Sequence, residues 1–280
     1  MLPLLPEQPN RARILVLGGG NENDARLTIS AVATNTAQIF DYDANLSPSS
    51  QPGWSRRDIR MGRRRFMSDA VLLPDGKVLV TGGAERGFTN SNSGDVLRAE
   101  IFDPDSELFI PMADATVPRH YYSTALLLPD GTVITAGNTG GFPPYDYIEE
   151  KRLESFLPSY LWQGPRPSIS PLYRSNMQYN TSFEFTVGVG TNHQLGVLTI
   201  ESIQRVAIIR LSSVTHANNM DQRYIILRIL ERHPWEWNPA VGDIQVLAPG
   251  DGTIAPPGWY MLFVISEHGV PSRGQFIHLG

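Results

Sequence analysis

One phrase occurs twice in this chain and constrains its fold more than any other feature. AVLLPDG closes at Gly76 and ALLLPDG at Gly131, and each leads into a second apolar run that ends on glycine. An apolar run, a Pro-Asp-Gly turn and another apolar run make a β-hairpin, in which glycine supplies the positive φ that the turn demands. The two phrases lie 55 positions apart at those glycines. ARILVLGGG, residues 12–20, repeats the second strand and its glycine exit. AQIFDYD at 37–43 and AEIFDPDSELFIPM at 99–112 then add a third strand, a turn and a short outer strand with an aromatic.

The repeating unit is therefore a four-stranded sheet. Glycine pairs, a late aromatic and a period of about 50 residues are the signature of a kelch-type β-propeller, of which two full blades and part of a third can be counted. Near Ser159–Pro171 the segment SYLWQGPRPSISP concentrates proline and glycine and ends that pattern. Beyond it, short strand-like runs at 183–190, 198–213, 222–232, 243–250 and 258–269 are spaced as in a sandwich. The expected fold is all-β: a partial kelch-type β-propeller of two to three blades over residues 1–160, then an immunoglobulin-like β-sandwich over 165–280.

Composition narrows the function. With 41% hydrophobic and 18% charged residues among 280, the chain has the make-up of a folded domain pair. A net charge of -5 carries no basic footprint for nucleic acid. No apolar run approaches the roughly 18 residues of a membrane span. The opening MLPLLPEQPNRAR has no charged leader or sustained apolar stretch, and reads as the interior of a protein rather than as a secretory signal. The absence of cysteine excludes disulfides and thiolate metal sites.

RHYYSTALLLPDG (119–131), VTHANNMDQRY (214–224) and APPGWYMLFVISEHGVPS (255–272), in this order along the chain, carry a resemblance. They are similar to the galactose oxidase and glyoxal oxidase family, the copper radical oxidases. The resemblance implies a C-terminal early-set immunoglobulin-like domain packed on a propeller. It also implies a copper ion bound by a tyrosine cross-linked to cysteine, an axial tyrosine, the histidine after it, and a histidine from a C-terminal loop. Tyr121 matches the axial tyrosine and His216 the loop histidine. Tyr122 stands where the other histidine belongs, and the chain has no cysteine for the cross-link. The activity implied is oxidation of a primary alcohol or aldehyde, or of a carbohydrate, with release of hydrogen peroxide. The location implied is extracellular or at the cell surface.

Tyr122 matters chemically. Neutral imidazole is ready to bind copper at pH 7, whereas a phenol with a pKa of about 10 must first lose its proton, at a cost of roughly 4 kcal/mol. His120 is an alternative ligand on the wrong side of the tyrosine, because a one-residue slip in a strand turns a side chain to the opposite face. These departures leave two readings open, a copper oxidase and a non-catalytic module that binds glycan or protein.

Other residues have structural and functional readings side by side. Arg119 suits a structural contact at a blade end, or a hold on a substrate oxygen. Arg63, Arg64 and Arg65 suit a solvated strand entry, or the lining of a central channel. Trp235 and Trp237 suit loop packing, or stacking on a sugar. His193, His233, His268 and His278 share no ligand spacing. Gly18–Gly20 lacks the lysine of a phosphate loop. An arc of two or three blades leaves open sheet edges through which chains can associate.

Overall fold

A computed structural model describes residues 1–20, 31–55, 57–86, 94–137, 150–190, 199–216 and 218–280. The all-β expectation holds: among these residues the helical turns are short 3-10 segments, such as Ser159–Trp162. Strands β1 (Arg11–Leu17), β2 (Thr36–Asp43), β3 (Gly53–Trp54) and β4 (Ile59–Arg60) form the first sheet, with β1, β3 and β4 all on β2. The second is the meander β5 (Asp69–Leu72), β6 (Val78–Thr81), β7 (Arg98–Asp103) and β8 (Leu108–Asp114). The third runs β9 (Ser123–Leu127), β10 (Val133–Gly137) and β11 (Glu154–Phe156).

Both copies of the repeated phrase fold alike. Leu73 N–H donates to Lys77 O and Leu128 N–H to Thr132 O, each at 2.8 Å. In both turns an aspartate oxygen, of Asp75 or Asp130, accepts the backbone N–H two residues on, and the closing glycine sits near φ 89° or 84°.

A second repeated device joins the sheets. Arg65 is fully buried; its guanidinium donates to Gly82 O at 2.7 Å and pairs with Glu100 at 2.8 Å. Its carbonyl accepts Gly19 N–H from the preceding sheet at 2.9 Å. Arg119 repeats the pattern, donating to Gly137 O at 2.6 Å while its carbonyl accepts Gly83 N–H at 2.6 Å. The glycine pairs exist for this approach. A Cβ on Gly18 would stand 2.5 Å from Arg65 O, and one on Gly82 would stand 2.7 Å from Arg119 O. Arg65 therefore corrects the reading of residues 63–65 as a solvated cluster; Arg63 and Arg64 fit it, both exposed, with Arg63 3.4 Å from Glu85.

The C-terminal part begins with β12 (Ser168–Ile169), β13 (Asn176–Met177), β14 (Ser182–Gly188) and β15 (Ile203–Arg210). A two-stranded ribbon follows, β16 (Val214–Thr215) with β17 (Asn218–Asn219). Then come β18 (Tyr224–Trp235), β19 (Asn238–Leu247), β20 (Gly258–Ser266) and β21 (Gln275–Leu279). Apart from the ribbon, these strands form one curled path, β12-β14-β19-β18-β15-β20-β21-β13. Strand β18 makes the corner, pairing with β15 through Tyr224–Leu227 and with β19 from Arg228 onward. One strand thus serves both faces of the sandwich.

The hairpin turns dock on this sandwich through their carbonyls. Tyr224 Oη donates to Pro74 O at 2.6 Å, Arg205 to Asp75 O at 3.0 Å and Gly274 N–H to Pro129 O at 2.7 Å. Tyr160 and Arg166 take the carbonyls of Gly131 and Asp130. Leu73, Leu79 and Phe102 share one apolar core with Ala207, Ile209 and Phe263, so burial continues across the seam.

Gly53 and Gly82 have nearly equal φ, 68° and 67°, but only Gly82 has backbone within reach of an added Cβ. Gly53→Ala is expected to cost about 1 kcal/mol for its left-handed backbone. Gly82→Ala adds the clash with Arg119 O and is expected to cost at least about 1 kcal/mol more. Urea unfolding of the two variants measures the difference.

Candidate functional site

Tyr121 and Tyr122 occupy the turn that enters β9, closed by Ser123 N–H to His120 O at 3.0 Å. Tyr122 has φ 60° and its carbonyl lies 2.6 Å from where a Cβ on Gly137 would be, so that glycine makes room for the turn. A bulky residue at positive φ is uncommon and marks strain held by its surroundings. His216 tips the β16–β17 ribbon, also at positive φ, 55°. The ribbon packs on β9 and β5, which carries the histidine to the tyrosines.

Three rings meet there. Their centroids are 4.0 Å apart for Tyr121–Tyr122, 4.7 Å for Tyr122–His216 and 5.5 Å for Tyr121–His216. Thr215 Oγ1 lies 2.7 Å from His216 Nδ1, leaving Nε2 as the nitrogen a metal would take. The hydrogen bond with Tyr122 holds the Tyr121 phenol above its ordinary pKa.

The neighbouring residues turn elsewhere. His120 is buried, with Nε2 2.9 Å from Asp95 Oδ1. Burial holds its pKa below the ordinary value, partly opposed by Asp95. Arg119 spends its guanidinium on the carbonyls of Gly137, Thr135 and Arg152, and is structural. Behind Tyr122, Ser123 Oγ donates to Asp69 Oδ2 at 2.8 Å, tying the third sheet to the second. Burial raises the Asp69 carboxyl from 3.8 to about 6.

The sequence held a signal for this arrangement. The hairpins repeat at 55 positions but the anchoring arginines at 54, so one extra residue lies between Arg119 and Gly131. The left-handed residue correspondingly stands three positions after Arg119, at Tyr122, but two after Arg65, at Met67. Nothing in the residue pattern pointed to Asp69.

The remaining candidates lie apart. Trp235 and Trp237 stack 5.0 Å apart at the β18–β19 turn, and Trp235 Nε1 donates to Asp243 at 3.4 Å. His233 pairs with Glu231 at 2.9 Å, His268 lies 4.0 Å from Glu267, and His278 meets Trp259 edge-on. His193 falls outside the described residues.

Comparison with known proteins gives this geometry a context. A glyoxal oxidase N-terminus model matches residues 1–160, and a galactose oxidase-like early set domain model matches 166–279. The chain belongs to the glyoxal oxidase and galactose oxidase-like family. It is 31% identical to aldehyde oxidase GLOX1 of Arabidopsis thaliana, over 96% of this chain and 44% of that protein. It is 29% identical to galactose oxidase of Gibberella zeae, over 96% and 36% respectively. A fungal alcohol oxidase solved in complex with copper superposes with a TM-score of 0.74 at 27% identity, covering 95% of this chain and 51% of that one. The chain thus spans half or less of the length of the curated relatives named here.

For a member of this family, the donors present are the test of copper. Imidazole nitrogen and phenolate oxygen are ligands that Cu(II) accepts. Among the described residues no group of three or more His, Cys, Asp or Glu is placed to hold a metal. The ring cluster therefore fits copper in kind, with one imidazole and with phenols that must give up protons.

Two outcomes follow from the titrating groups. Tyr122→Phe removes the main cause of the raised Tyr121 pKa, so Tyr121 is expected to ionise at lower pH in an ultraviolet absorbance titration. Asp69 binds its proton more tightly folded than unfolded, so its contribution is fully present below pH 4 and is lost as pH rises through about 6. Asp69→Asn is expected to flatten stability across that window in urea unfolding at stepped pH.

Proposed function

We propose that the Tyr121–Tyr122–His216 cluster is a copper half-site of an oxidase acting on primary alcohols or aldehydes, including those of carbohydrates, at the cell surface or outside the cell. The observation that carries this reading is the meeting of a tyrosine at the entry to β9 with a histidine from the C-terminal ribbon. Oxidation of R–CH2OH to an aldehyde transfers two electrons and two protons to dioxygen, giving hydrogen peroxide. Bound copper would supply a one-electron acceptor next to the substrate. His216 would give a neutral nitrogen and Tyr121 an oxygen able to hold or release a proton, while Tyr122 walls the exposed side.

Tyr122 supports a weakened centre, since it replaces a ready imidazole with a protonated phenol, and without cysteine the chain has no means of making the family's cross-linked tyrosine. The chain by itself is therefore proposed to bind copper without turning over substrate. The same residue favours the second reading, a non-catalytic module for glycan or protein.

Copper titration followed by paramagnetic resonance separates them. The half-site predicts one equivalent of Cu(II) with one nitrogen ligand, lost in His216→Ala. Tyr122→His places a residue that tolerates positive φ at the position and adds a nitrogen. It is expected to tighten copper at least about tenfold, or 1.4 kcal/mol. Absence of stoichiometric copper in the parent and in Tyr122→His would leave the binding module.

A further inference from the structure

Two segments of the chain read Asn-x-Ser: Asn45-Leu46-Ser47 and Asn180-Thr181-Ser182. Such triplets accept N-linked oligosaccharide in secreted proteins of plants and fungi, the two kinds of organism among the relatives named above. They also arise by chance. The surroundings of each decide which can serve, because the sugar must end outside the fold and the serine hydroxyl must be able to reach the asparagine amide during transfer.

Asn180 is exposed in the turn between β13 and β14, at φ 56°. Asparagine tolerates that left-handed backbone better than most residues, which accounts for Asn180 itself but not for Ser182 two positions on. The turn is held without either polar side chain. Asn180 N–H donates to Pro249 O at 2.8 Å, and Thr181 Oγ1 donates to Gln178 O at 2.9 Å. Ser182 is exposed as well. Thr181 and Ser182 line a groove of about 550 Å³ with Gln178, Glu184 and Tyr173, so a first sugar has room and polar surface beside it.

The other triplet is equally exposed but is followed at once by Pro48. A proline keeps the residue before it out of the helical region, and Ser47 is extended at φ -66° and ψ 156°. That restriction is local, so it acts in the unfolded chain too. Transfer takes place before folding is complete. At that stage Phe183 leaves Ser182 free to turn back toward Asn180, whereas Pro48 holds Ser47 away from Asn45.

We propose that Asn180 carries an N-linked oligosaccharide and that Asn45 stays largely bare. The proposal rests on the extracellular location put forward above. The donor is an oligosaccharide on a lipid diphosphate. A bond forms between Asn180 Nδ2 and the first carbon of the sugar, while the bond from that carbon to the diphosphate breaks. The diphosphate leaves with the electron pair, and Nδ2 gives up one proton. Nothing is oxidised or reduced.

The test uses the full chain, secreted from yeast behind an added leader, with an Asn-Gly-Thr triplet in a C-terminal tag. Molecules whose tag carries sugar have entered the secretory route, and only these are analysed. Release by peptide-N-glycosidase in heavy-oxygen water turns each glycosylated asparagine into a mass-labelled aspartate. The label is expected at Asn180 in most molecules and at Asn45 in a minority. Ser182→Ala is expected to remove it from Asn180 while the tag stays modified, and Ser182→Thr to keep it. A bare Asn180, an Asn45 more occupied than Asn180, or a label that survives Ser182→Ala would overturn the proposal. Because entry is imposed by the leader, those results count against the site alone; the location of the full-length protein in its own cells tests the extracellular reading separately.

Discussion

A guanidinium taken out of water must find hydrogen-bond acceptors, and in this protein it finds them at the inner ends of the sheets. Arg65 and Arg119 each reach a glycine carbonyl of their own sheet and offer their backbone carbonyl to the glycine of the sheet before. A buried charge left without partners costs several kcal/mol, so the carbonyls and the arginine require one another. The glycines are required as well, since any side chain there would collide with the arriving carbonyl. The angle between neighbouring sheets, and hence the position of everything at the mouth, follows from this contact. Tyr121 and Tyr122 stand where they do because Arg119 is fixed two and three residues earlier.

The ring cluster depends equally on the C-terminal part. His216 arrives on a ribbon too short to be stable alone, placed by its packing on β5 and β9. The turns at Pro74–Gly76 and Pro129–Gly131 hold the sandwich from the other end, through carbonyls that accept from Tyr224, Arg205, Tyr160 and Arg166. A histidine in one part and a tyrosine in the other keep their spacing because arginines and tyrosines clamp the seam elsewhere.

Much of this was legible from the residues. The LPDG turns announced themselves because glycine meets the backbone demand there, and the short apolar runs on either side have the length of buried strands. The meeting of Tyr121 with His216 came from resemblance, since a contact across 95 positions leaves no local trace in a single sequence. Arg65 was hidden inside a run of three arginines, two of which lie near the surface; charge alone does not reveal which member finds carbonyls. Strand β18 was visible as an apolar run, but its change of partner at Arg228 depends on two neighbouring strands and not on its own pattern.

That strand also ties distant parts of the chain in time. Leu4 N–H donates to Tyr224 O at 2.9 Å and its carbonyl accepts Ile226 N–H at 3.0 Å. Leu4 is thus stitched to a strand made some two hundred residues later. Contacts of such sequence separation close a large loop and form slowly. On a ribosome, Leu4 waits for its partners until β18 has emerged, although it is buried in the finished protein. Closing this contact therefore waits for β18, however early Leu4 is made.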